Sequence, residues 1–221
     1  MVKKIIVLAL LCLFVMPQFA KAQEENFLQL AAFNPVQLVP EDESIKGISL
    51  NLLYAVNQDV YGLSLGIGVN RATGDMGGVQ IALGNVVEGS AYGGQMGIVN
   101  YTGKRFVGAQ YGMANIVAGD MTGVQWGIVN WTEGFMHGVQ YGTLNYSKGD
   151  AVGIDIGVVN FNGGSFRGFQ GGIVNYSGEM HGLQLGLVNY TKSLDGLQIG
   201  LANYNGNKDS MEFMVLANWS F

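Results

Sequence analysis

From Met121 to Trp131 the chain alternates. Val124, Trp126 and Ile128 fall on one side of an extended backbone, and Gly123, Gln125, Gly127, Val129 and Trp131 fall on the other. Period-two alternation, with aromatic and β-branched residues at a glycine density no helix tolerates, predicts a strand. The same phrase returns along the chain, opening on Gly78, Gly93, Gly108, Gly123, Gly138, Gly153, Gly168, Gly182 and Gly196, with a spacing of 15 that shortens to 14 near the end. Two residues after each glycine stands Gln80, Gln95, Gln110, Gln125, Gln140, Asp155, Gln170, Gln184 or Gln198. Seven after it stands Asn85, Asn100, Asn115, Asn130, Asn145, Asn160, Asn175, Asn189 or Asn203. Weaker copies open at Gly47 and Gly62, the second with one extra residue before Asn70 that a β-bulge absorbs. Self-similarity at a fixed period marks a repeat architecture.

Each unit reads as one strand and one turn, and the joints, such as Thr132-Glu133-Gly134-Phe135 and Ser147-Lys148-Gly149-Asp150, carry glycines that suit tight hairpins. Two all-β architectures can use such a unit. A β-solenoid with one 15-residue coil per repeat stacks the copies in parallel, so that like residues form ladders. An antiparallel up-and-down meander turns back at every joint, and the near-palindrome about Trp126 then sets each glutamine across from a glycine. The meander, closed into a transmembrane β-barrel of about 12 strands, is the leading expectation. An 11-residue strand is about 36 Å long, and a tilt near 40° reduces its height to about 28 Å, a membrane span. The apolar side recurs in nearly every copy, for instance as Leu183, Leu185 and Leu187, and lipid accepts such a belt. Strands are expected near 45–56, 60–71, 76–87, 91–101, 106–116, 121–131, 136–146, 151–161, 166–176, 180–190, 194–204 and 211–221. An even number suits a closed bacterial barrel.

Composition narrows the classes. The 221 residues are 48% hydrophobic and only 12% charged, the opposite of a disordered chain, and suffice for one core. A formal net charge of −5 and the lack of any Lys/Arg cluster argue against a nucleic-acid partner. Lys3 and Lys4, the apolar run from Ile5 to Val15 and Ala20-Lys21-Ala22 read as a signal peptide over residues 1–22, with the mature chain beginning at Gln23. The only cysteine, Cys12, lies inside it. Residues 23–44, with Pro35, Pro40 and Glu41-Asp42-Glu43, form a leader strand, a plug or a tail, and residues 45–221 form one β-repeat domain.

The last strand, with Phe213, Val215, Ala217, Trp219 and Phe221 on one face, resembles the C-terminal signal by which bacterial outer-membrane barrels meet their assembly machinery. The repeated Gly-x-Gln-x-Gly-x-x-Asn phrase, as Gly123 to Asn130, and the opening Ser49-Leu50-Asn51-Leu52-Leu53-Tyr54 resemble a family of bacterial surface-repeat proteins of unassigned function. That resemblance implies a surface or envelope location and no catalytic residues. Membrane lipid and the assembly machinery are the partners that follow.

Chemistry is sparse. His137 and His181 occupy the same place in their copies, but no carboxylate or cysteine spacing supports a metal site. Asp155 is a lone carboxylate among the glutamines. The glycine pairs lack the strand–loop–helix context of a phosphate site, and no catalytic constellation assembles. The chain is therefore expected to be no enzyme and to need no cofactor. Gln80, Gln95, Gln110, Gln125, Gln140, Asp155, Gln170, Gln184 and Gln198 would line the lumen of an outer-membrane barrel, as a structural element or a narrow channel for small uncharged solutes. The closing aromatics, Trp131 and Tyr146 among them, would pack inside it. The rival reading is a surface-exposed β-solenoid serving adhesion or binding.

Overall fold

The computed structural model describes residues 26–206 and 212–221. The expected signal peptide, Cys12 and the new N-terminus at Gln23 lie outside them. The copies stack in parallel, each one coil above the last. Gly108 pairs with Gly123 and Gly123 with Gly138, Gln110 with Gln125 and Gln125 with Gln140, and Asn115 with Asn130 and Asn130 with Asn145. The chain is thus a β-solenoid of eleven repeat coils. This overturns the antiparallel meander, and with it the transmembrane barrel, the count of membrane-spanning strands and the porin-like channel.

The physical reason lies in the amides. An antiparallel pairing sets glutamine beside glycine, whereas in-register parallel stacking gives a Gln or Asn side chain such as Gln125 or Asn130 a like neighbour one rung away, at about 4.8 Å, to bond with. Among the described residues antiparallel pairing survives only at the ends, in the hairpin of Val36–Gln37 against Asn26–Phe33 and in Phe213–Ser220 against the last coil.

Each coil is two strands folded around a corner. In the sixth these are Met121–Trp126 and Val129–Thr132, with Gly127 and Ile128 between them. In later coils the pairing continues through the corner, as in Met136–Ser147. The corner changes the side-chain parity. Val124 and Trp126 point outward and Gln125 inward as expected, but beyond the corner Asn130 is the buried residue and Val129 and Trp131 face out. The closing aromatics are therefore on the outside, a second correction.

Four columns fill the interior. An apolar one runs through Met76, Ala91, Phe106, Met121, Met136, Ala151, Phe166 and Met180, and beside it lie the glutamines, the asparagines and a column of small residues that includes Val117, Thr132 and Ser147. Gly123 (φ +132°) lies on the inward parity between Met121 and Gln125, and a Cβ there would run into the carbonyl oxygen of Gly108, so the phrase must open on glycine. The leader becomes a cap. Asn26–Phe33 adds a parallel rung to Ile45–Asn57, and Gln29 falls in register with Ser49, fully buried and bonded through Nε2 to the Val39 carbonyl and Asn57 Oδ1. At the other end Asn218, opposite Gln198, closes the glutamine column.

Candidate functional site

The Gln and Asn ladders hold the coils in register and so fix both outer faces. Each Asn donates twice: Asn115 Nδ2 bonds Asn130 Oδ1 at 2.9 Å and the Trp126 carbonyl, next to the corner, at 3.0 Å. The corner glycine makes room for it, since a Cβ on Gly127 would stand 2.8 Å from Asn115 Nδ2. That explains the Gly-x-x-Asn spacing. The glutamines run the other way, Gln125 Nε2 donating back to Gln110 Oε1 at 2.9 Å and Gln140 Nε2 to Gln125 Oε1 at 2.7 Å. Thr132 Oγ1 adds a bond to Gln125 Oε1 at 3.3 Å.

The predicted lumen residues are thus packed and bonded inside a solenoid rather than lining a barrel. Gln80, Gln95, Gln110, Gln125, Gln140, Asp155, Gln170, Gln184 and Gln198 all have at most 1% of their surface exposed. Asp155 breaks the run of glutamines between Gln140 and Gln170. It is one methylene shorter than glutamine and has no donor when ionised, and neither of its oxygens finds a hydrogen-bond partner. Burial pushes its carboxyl up to about 7, and the nearby Gln170 amide offsets only part of that rise.

What the scaffold presents lies outside. On the second face of the coils, one aromatic per rung builds a stack: Trp131 on Tyr146 at 3.8 Å between ring centres, then Phe161, Tyr176, Tyr190 and Tyr204 at 4.5–5.2 Å, with neighbouring planes within 18° of parallel. The rings cover one another's faces and turn their edges to solvent. Tyr204 donates its hydroxyl to Glu212 at 2.9 Å, a bond that raises its pKa. Toward the N-terminus the stack gives way to Ile116, Tyr101, Val86 and Arg71 in register. There a hollow of about 700 Å³ opens between Tyr54, Arg71, Glu88, Tyr101 and Lys104. Arg71 spans it, bonded to the Tyr54 hydroxyl at 3.1 Å and paired with Glu88, and both partners raise its pKa.

The first face, before the corner, is apolar and exposed. Tyr111, Trp126 and Tyr141 meet edge to face in adjacent rungs, with ring centres 6.0 and 5.2 Å apart. His137 and His181 lie three coils apart near the far margin of this face. His181 Nδ1 lies 3.1 Å from an Asp195 carboxylate oxygen, and His137 packs edge-on against Phe135. Among the described residues no three His, Cys, Asp or Glu side chains converge as metal ligands.

The C-terminal residues are split by the corner. Ala217 and Trp219 lie beside Ile199 and Leu197 on the first face, Phe213 lies beside Tyr204 on the second, and Leu216 takes a positive φ of 71° where the strand bends. Phe213, Val215, Trp219 and Phe221 are exposed. Sequence reasoning missed Gln29 and Asn218 as column ends, and it placed the ring stack on the wrong side of the sheet. The aromatic at each eighth position after the opening glycine was the available signal. No family model, curated protein or solved structure matches this chain.

Proposed function

We propose that this chain is an exported, non-catalytic β-solenoid that serves as a binding and adhesion module at the bacterial cell surface. The observation that carries the reading is the six-ring stack from Trp131 to Tyr204 on the second outer face, held in register by buried ladders. Six aromatics at one-rung intervals are far more regular than folding needs. They suit an extended partner with its own repeat, such as a polysaccharide or a peptide strand, contacted at many equivalent points. The resemblance of the Gly-x-Gln-x-Gly-x-x-Asn phrase to bacterial surface-repeat proteins supports the same location.

The test is access and attachment on intact cells. An antibody against the purified protein should label unpermeabilised cells that express it, and those cells should adhere to polysaccharide- or glycoprotein-coated surfaces more than cells without it. Replacing Tyr146, Phe161 and Tyr176 together by serine should abolish the added adhesion while leaving the labelling. Labelling only after permeabilisation overturns the surface reading; adhesion unchanged by the triple variant overturns the role of the stack.

A further inference from the structure

The first outer face poses a problem of its own. Its two central outward positions are apolar or glycine in every rung, from Leu28 and Leu30 in the N-terminal cap to Ala217 and Trp219 in the last strand, with no charged side chain among them. Thirteen rungs at about 4.8 Å make the strip about 58 Å long, and a width near 14 Å gives roughly 800 Å². That exceeds what a monomer ordinarily leaves in water and equals what each partner contributes to a stable protein interface.

The side-chain sizes indicate what covers it. Where one outward position of a rung holds an aromatic ring or methionine, the other is smaller: Gly94 accompanies Met96, Ala109 accompanies Tyr111, Val124 accompanies Trp126, and the order inverts at Phe169 and Gly171. Consider two copies face to face, related by a two-fold axis along the solenoid. The first outward position of each rung then meets the second outward position of the same rung in the other copy. Every Tyr111 falls on the second copy's Ala109 and every Phe169 on its Gly171. Rungs with two side chains of similar size, such as Leu183 and Leu185, meet their equals. A surface that is its own complement is the mark of an isologous dimer. Fluid lipid requires no such matching.

We propose that the protein is a dimer in which two parallel solenoids pack first face on first face, rung against rung, with Trp126 at the middle rung. Both aromatic stacks then face outward on opposite sides. The dimer does not depend on the binding reading, because it uses the other face.

Sedimentation of the purified protein in detergent-free buffer should give twice the monomer mass. Ala109→Tyr places tyrosine against tyrosine across the axis and should weaken the dimer at least about tenfold, as overpacking does. Adding Tyr111→Ala restores one small and one large residue per rung and should return affinity to within about threefold of the parent. Position 109 is exposed, so circular dichroism should show the same β fold in both variants, while the melting temperature should follow the dimer affinity. A monomeric parent overturns the proposal, as does a double variant no tighter than Ala109→Tyr alone. A monomer that floats with phosphatidylcholine–phosphatidylglycerol vesicles through this face also overturns it, since lipid would then be the cover.

Discussion

Asp155 shows how strictly one position is determined by its neighbours. Its side chain lies in a column where an amide such as Gln125 donates to one neighbour, Gln110, and accepts from the other, Gln140, and a carboxylate can only accept. Because burial raises the carboxyl from 3.8 to about 7, the folded chain keeps a proton that the unfolded chain releases. Stability is therefore expected to fall as pH rises between those values, by up to about 4 kcal/mol, and to level off above 7. Asp155→Gln should remove that slope and raise the melting temperature at pH 8, where the penalty is full. Equal melting temperatures for parent and variant at pH 8 would show that the carboxylate is better solvated than its surroundings allow. Gln80 shows the same logic in a neutral group: its Nε2 is without a partner where the column passes to the shorter Ser64.

At the scale of the coil, stability comes from hydrogen bonds in a dry interior as much as from apolar packing. Asn130→Leu deletes the bonds to Asn145 and the Tyr141 carbonyl and leaves Asn115 Nδ2 one acceptor short. The expected cost is about 2–4 kcal/mol. Hydrogen exchange should show the lost protection concentrated in the coils at 106–117, 121–132 and 136–147; a uniform loss along the chain would contradict nearest-neighbour coupling. The period, the glycine that opens each unit and the inward glutamine were legible in the sequence, because alternation reports parity within one strand. Strand direction was not. A phrase that reads almost the same in both directions pairs with itself either way, and only the bonding of Asn115 to Asn130 and of Gln125 to Gln110 distinguishes the two. The corner at Gly127 was equally hidden: it reverses parity without interrupting the apolar pattern, which sent Trp131 inward on paper and outward in the fold. The candidate binding face was therefore visible as a list of aromatics but not as a surface.

For the whole molecule, the two ends differ from everything between them. Gln29 and Asn218 close the glutamine column in strands that belong to no repeat, and these caps cover edges that would otherwise offer unpaired backbone. Between the caps, the rungs are interchangeable. Gly108 and Gly123 occupy equivalent places, so removing residues 108–122 joins Val107 to Gly123 with every column still in step. Such a chain should fold with a cooperative melt somewhat below the parent's; a molten product would mean that individual coils carry information the columns do not. In-register stacking thus gives the molecule a quantised length, about 4.8 Å for every fifteen residues gained or lost. Duplication or loss of a whole coil in the gene then acts as a ruler adjustment, resetting reach without redesigning any contact.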